Sequence, residues 1–367
     1  MSINCGADMR QRTEFVDIAK GFAILAVVLA HIHFDVWGSD LFPTRAILAG
    51  GMWHVPVFFI LAGFFIKEEK LANTFQFVKG KLKTVHLLTL YFYIPAVLLH
   101  NVFFSIGFYS STVKYSGKYI MMYDTSVFLK NILAAVFFAG SEPIVGPLWF
   151  AYVLSLAFIG YALLTMLCRK LFKESNYEKM RFFVCLLLTV VSAILSNKYG
   201  LTISRCSNTV VVMLLLAIGQ YMYQKKKMTF DSWLFFGMSL LLFWQNAVLS
   251  GHVHLDVNRY HDVFHLVCGN IAALYVICFI SKKIVNTSIG AVLKMIGEKS
   301  FYIMALHIFF FKVFALIVRN WKPETTVDFL TPTVGGNVLL LLGYVAFGVF
   351  LPIVVAKVVD IIKGRVF

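Results

Sequence analysis

Charge is scarce in this chain, and acid is scarcer than base. Only 14% of the 367 residues are Asp, Glu, Lys or Arg, and 18 acidic side chains face 33 basic ones. A soluble globular domain carries about 25% charged residues, so the shortage excludes an ordinary solvated surface. Closely spaced cysteine pairs are also missing. Cys5, Cys168, Cys185, Cys206, Cys268 and Cys278 stand far apart, which argues against both a zinc module and a disulfide framework. No Gly/Ser linker, low-complexity tract or inverted repeat of hydropathy divides the chain, so one domain over 1–367 is expected. The opening MSINCGADMRQRTE is polar and no small-residue cleavage pattern follows the first apolar block, so a signal peptide is not expected.

What fills the space is apolar residue: 60% of the chain, with mean hydropathy +0.80. It falls in blocks near the length that crosses a bilayer as a helix. Ten such blocks can be read, near 15–37, 46–66, 84–106, 147–168, 182–197, 206–224, 229–250, 262–280, 300–318 and 336–356. The expected fold is therefore an all-α integral membrane protein, a bundle of about ten transmembrane helices. Placing the N-terminus in the cytoplasm puts 22 Lys and Arg on inner segments and 9 on outer ones. The positive-inside rule then puts both termini in the cytoplasm, with residues 1–14 as an N-terminal tail. The net charge of +15 is thus topological, and no nucleic acid is expected as partner. The lipid bilayer of the inner (plasma) membrane is. Residues 107–146 form the longest outer loop, and its apolar stretch 127–140 is too short to cross, so it reads as an interfacial or re-entrant helix.

Ionisable residues inside spans are costly and mark candidate sites. The first span holds Asp17, Lys20 and His31. Asp17 and Lys20 are one turn apart and can pair, either to neutralise charge at the membrane face or to serve a site. Lys20 and His31 share a helix face roughly 16 Å apart. A buried imidazole can take a proton from a hydroxyl near neutral pH, or it can simply pack. His54 in the second span should lie at the same depth in the outer half, with Pro56 and Gly63 opening the backbone nearby. Ser300 and His307 project from one face of the ninth span, Ser300 as a helix cap or a cavity residue. Lys312 is expected to snorkel outward. The outer segment GHVHLDVNRYHDVFH at 251–265 matches no standard metal-ligand spacing, so no metal is expected. Asp256, Asn258, Arg259 and Tyr260 instead offer hydroxyl-binding groups, the alternative being a solvated loop. The run KGKLK at 79–83 reads as topological charge, yet its Lys79, Lys81 and Lys83 would also attract a phosphate-rich donor.

Four strings carry a resemblance: DIAKGFAILAVVLAH at 17–31, HVPVFFILAGFF at 54–65, GPLWFAYVLSLAF at 146–158 and IGEKSFYIMALH at 296–307. Their order and placement resemble the acyltransferase-3 family of membrane acyltransferases. Many members have arginine where this chain has Lys20, which keeps the charge but gives up bidentate phosphate binding. Lysine there resembles the fucose-4-O-acetylase-like and enterobacterial-common-antigen-like branch. The resemblance implies transfer of an acyl group, most often acetyl, from cytoplasmic acyl-CoA to a carbohydrate or glycolipid acceptor. His31 would be general base or acyl carrier, and His54 would orient it or hold the oxyanion. Asp17 would hold Lys20. Lys20, Lys79, Lys81, Lys83 and Trp149 would bind the donor, while Ser300, His307, Glu142, Asp256, Asn258 and Arg259 would bind the acceptor. On physics alone a secondary transporter or a noncatalytic membrane sensor also fits buried charge in a polytopic bundle. Acceptor identity, acyl length and oligomeric state are not written in the sequence.

Overall fold

The computed structural model describes residues 4–34, 53–249 and 253–366. Residues 35–52 and 250–252 lie outside them, and with them the end of the first expected span, the start of the second, and His252. Nearly every described element is helical, as unbroken apolar blocks require where backbone groups must satisfy one another. In chain order the helices are α1 (Asn4–Ala30), α2 (His54–Phe64), α3 (Glu68–Ala72), α4 (Thr74–Lys81), α5 (Leu87–Leu98), α6 (His100–Ser105) and α7 (Thr125–Val136). There follow α8 (Trp149–Leu171), α9 (Tyr177–Tyr199), α10 (Ser204–Gln220), α11 (Trp233–Leu249), α12 (Val263–Ile284), α13 (Ser288–Glu298), α14 (Ser300–Arg319) and α15 (Val338–Val366). α1 already begins at Asn4, so the described part of the expected tail is helical. One turn of π-helix at Leu82–His86 joins α4 to α5.

Among the described residues six helices are long and apolar enough to cross a membrane: α8 with its preceding turn, α9, α10, α12, α14 and α15. The protein is a helical membrane protein. The other expected spans are helical over part of their described length, but α1 ends at Ala30 and carries Glu14, Asp17 and Lys20, α2 and α11 are shorter, and the third is split into α5 and α6. Large apolar side chains face outward along these helices, for example Leu241 and Leu339, exposed at 73% and 80%. A bilayer is the solvent for such a surface. Among the described residues strand pairing is confined to short pieces. β1 (His33–Phe34) runs parallel to β4 (Thr333–Gly335), and β2 (Lys114–Tyr115) pairs antiparallel with β3 (Lys118–Tyr119). α7 forms inside the long loop where an interfacial helix was expected, with Leu129 and Leu133 exposed on it.

Helix crossings here rest on glycine, because apolar lipid offers helices little hydrophobic drive to associate and close backbone approach is what remains. A Cβ on Gly297 of α13 would stand 1.7 Å from the Asp17 carbonyl oxygen of α1, and one on Gly21 would stand 2.2 Å from that of Leu293. α2 and α10 cross in the same way, with Gly219 facing the Ile60 carbonyl oxygen and Gly63 that of Leu216. Gly63 therefore closes a helix contact and opens nothing. Nor does Pro56 break α2: it lies in the first turn, where amide hydrogens have no helical partner to lose.

The clash at Gly297 is with backbone, which cannot move aside as a side chain can. Gly297→Ala should cost about 1–3 kcal/mol and lower the thermal midpoint of the detergent-solubilised protein. Gly80→Ala, with nothing within 4 Å of the added carbon, should leave it unchanged or raise it.

Candidate active site

The end of α1 is held on both sides. Its last turn is helical, and immediately beyond it His33 donates its amide to the Pro332 carbonyl at 2.8 Å, starting the pairing of β1 with β4. His31 sits between these two anchors. Its ring meets that of His307 edge to face, centroids 4.9 Å apart. His307 is the eighth residue of a twenty-residue helix and fully buried, so the two imidazoles meet near mid-depth of α14 rather than at its rim. His54, opening α2, lies within electrostatic reach of His31 and of His254, and His31 within reach of Asp256. The fold thus brings together His31, His54 and His307 with the segment around Asp256.

The two contacting histidines share one tautomer. His31 Nδ1 lies 2.8 Å from the Val27 carbonyl oxygen and His307 Nδ1 lies 2.8 Å from that of Ile303. A carbonyl oxygen only accepts, so both Nδ1 atoms carry the hydrogen and both Nε2 atoms present a lone pair. His307 Nε2 is buried with no hydrogen-bond partner among the described residues. A buried acceptor left open in this way fits a site that awaits a donor.

Lower on α1, Lys20 donates to Asp17 Oδ1 at 2.9 Å, as their spacing predicts, and its ammonium lies 5.7 Å from the Phe65 ring centre. Both are partly accessible, whereas Ile18, Ala19 and Ile24 of the same helix are buried. Lys79 and Lys83 are exposed. Lys81 instead turns inward, 4.1 Å from the Phe158 ring centre and 5.5 Å from that of Phe77. Burial there, together with nearby Lys70, pushes the Lys81 ammonium down to about 8. Trp149 opens α8, nine residues before the Phe158 that Lys81 overlies, and Ser300 is half-buried at the start of α14 without capping it.

A model of the family described as an acyltransferase domain, acyltransferase-3, matches residues 13–357. The chain belongs to the acyltransferase-3 family. No curated protein and no solved structure matches it. The matched stretch contains all four motif strings, and in this acyltransferase their glycines and histidines are the residues that meet. Gly21 and Gly297 pack backbone to backbone, and His31 and His307 touch.

Other expected residues are placed differently. Asn258 is fully buried in a left-handed turn, its amide donating to Ser192 Oγ at 3.0 Å and its carbonyl accepting from Ser196. It shapes the segment, with only its Oδ1 left without a hydrogen-bond partner among the described residues, and Tyr260 is buried nearby. Asp256 and Arg259 are exposed. Glu142 is 1% exposed, with its oxygens accepting from Tyr109, Tyr123 and His100. His100 gives its other nitrogen to the Met121 carbonyl at 3.0 Å, so the group knits the loop between α6 and α8 together. Lys312 does not snorkel. It is buried and its ammonium donates to the carbonyls of Phe108, Val327 and Phe329 at 2.7, 3.0 and 2.6 Å.

Sequence reading passed over Arg205, counting it only as a topological charge. It is half-buried, donates to the Gly140 carbonyl at 3.1 Å, and lies within electrostatic reach of Tyr115, Tyr152 and Asp256. Burial pushes the Tyr115 phenol up to about 12, so it stays a hydroxyl donor. Nothing in the spacing of these residues signals that the fold will gather them.

Replacing Lys312 by methionine removes one donor from three enclosed carbonyls, each costing about 1–3 kcal/mol when unsatisfied. Lys312→Met should therefore lower the thermal midpoint well below that of wild type, measured by fluorescence-detected size exclusion after heating, even though a single surface lysine replaced in this way would be neutral.

Proposed function

We propose that this acyltransferase moves a short acyl group, acetyl first among them, from cytoplasmic acyl-CoA to a hydroxyl of a cell-envelope or exported carbohydrate. The observation that carries the reading is the ring contact of His31 with His307, whose buried Nε2 has no hydrogen-bond partner among the described residues, inside a helical membrane protein of this family. In this reading the chain crosses the inner (plasma) membrane ten times with both termini cytoplasmic. The CoA phosphates meet Lys79, Lys81 and Lys83 at the inner face, and the pantetheine arm follows α1 past Lys20 toward His31 and Trp149. The acceptor approaches from the opposite side, past Asp256, Arg259 and Arg205.

His31 Nε2 removes the proton of the acceptor hydroxyl as its oxygen attacks the thioester carbonyl. The tetrahedral intermediate collapses with loss of the CoA thiolate, which regains the proton from His31. His307, in ring contact, offers an acceptor to the imidazolium formed in between, and His54 lies near enough to hold the oxyanion. The same lone pair on His31 also allows attack on the thioester first, expelling the CoA thiolate and giving an acyl-histidine. The acceptor hydroxyl then takes the acyl group and its proton passes to the thiolate, which frees His31. Asp17 fixes the Lys20 ammonium and neutralises it until a phosphate or carbonyl takes its place.

Loss of His31 should remove the base outright. His31→Ala in the purified protein is expected to lower acyl transfer from acetyl-CoA by about 10²–10⁴-fold with the fold intact, and acetylation of envelope glycans should vanish in cells carrying it. Retained glycan acetylation would overturn the assignment.

A second expectation concerns Lys81. As a free-enzyme group poised at about 8, it is charged below that pH and neutral above it. In the donor-dependent rate kcat/KM a decline should appear as pH rises through about 8, and Lys81→Gln should flatten that limb while lowering the plateau.

A further inference from the structure

We propose that His261, Asp262 and His265 form a binding site for a divalent transition-metal ion at the entry to α12. Their spacing in sequence gave no reason to expect one. The fold supplies it, because α12 begins only at Val263 and uses Asp262 as its cap. Asp262 Oδ1 accepts the His265 amide at 2.8 Å, which fixes the carboxylate and turns Oδ2 outward. The Nδ1 atoms of His261 and His265 both lie 2.6 Å from that single oxygen, and the two rings are 5.0 Å apart. One ligand atom from each residue can thus be chosen with all three within 4.8 Å of one another.

The backbone holding them is already ordered. His254 and Arg259 exchange backbone hydrogen bonds at 2.7 and 2.9 Å, Asn258 takes the left-handed turn, and Asn197 of α9 donates to the Tyr260 carbonyl at 2.8 Å. Little side-chain or chain entropy is left to lose on binding. The donor set is two imidazole nitrogens and one carboxylate oxygen, which suits zinc, nickel or copper and is too nitrogen-rich for calcium or magnesium. His261 is exposed and the others half-buried, so water can complete the coordination. The positive end of the α12 dipole opposes a cation by about 0.3–1 kcal/mol, and the Asp262 charge offsets it. A bound ion would cross-link the Asp256 and Arg259 segment to the start of α12.

The test uses full-length, tag-free protein in detergent, stripped with EDTA and titrated with ZnCl2 and separately with NiCl2 by calorimetry, the thermal midpoint being recorded with and without metal. We expect one saturable site and a rise in midpoint. Both should be lost in His261→Ala and in His265→Gln, and weakened in Asp262→Asn, which keeps the helix cap. No saturable binding up to about 1 mM, or binding and midpoint shift that persist in both histidine variants, would overturn the site.

Discussion

The backbone contact of α1 with α13 is the constraint on which the rest of the arrangement depends. In lipid the hydrophobic effect does not press helices together, so the depth and angle of α1 follow from how closely its backbone can approach a neighbour. Gly21 and Gly297 let carbonyl oxygens of one helix lie where a Cβ of the other would be. That contact sets the level of Asp17 and Lys20. Because α14 follows α13 after a single residue, it also sets the level of His307 relative to α1. Two turns into α14, His307 meets His31. The imidazole pair is thus registered from below by glycine and from above by the pairing of β1 with β4.

A second constraint works through polar groups that cannot reach water. Each one must find its partner inside the protein, and in doing so it ties distant segments together. Lys312 binds the residue 108 region to the segment after α14 through three carbonyls. Glu142 gathers two tyrosines and His100. At the other end, Glu68 receives both guanidinium nitrogens of Arg181, at 3.0 and 3.1 Å, together with Arg169, Gln220 and Tyr177. These groups tie loops to helices, among the described residues, without any extended sheet. Eight buried side-chain polar atoms are left without a partner among the described residues, and the Nε2 of His307 is the one whose ring touches His31.

Much of this was legible in the sequence, and the reasons are physical. Block length and scarce charge announce membrane helices because bilayer thickness fixes both. Asp17 and Lys20 pair because three residues make nearly one turn. The histidines were conspicuous because such side chains are rare in apolar runs. What stayed hidden depends on contacts far apart in the chain. Asn258 has the composition of a sugar-binding residue, but a left-handed turn and Ser192 draw it inward. Lys312 has the length to snorkel, and three carbonyls from two loops hold it instead. Arg205 looked like one more charge on the outside, and only the fold sets it against Gly140, Tyr152 and Asp256. The role of Gly63 was misread for the same reason: a glycine in a helix is silent about which neighbour approaches it.

Lysine at position 20 gains meaning from this geometry. An arginine would present a planar fork and bind a phosphate at two points, which favours a fixed anion. The Lys20 ammonium is a single charge on a flexible stem, held at 2.9 Å by Asp17 and resting near the Phe65 ring. Such a group can release Asp17 and swing without losing a paired geometry. For the proposed donor, a cation partway along α1, roughly 16 Å below His31, would serve better as a passing contact for the arm than as its terminal anchor. In the proposed reading the anchoring charge belongs to the lysines of 79–83, where Lys79 and Lys83 are exposed and Lys81 packs on aromatic rings. Positive charge is thus divided, in that reading, into an anchor at 79–83 and a guide on α1, which asks of Lys20 only that it be charged and mobile.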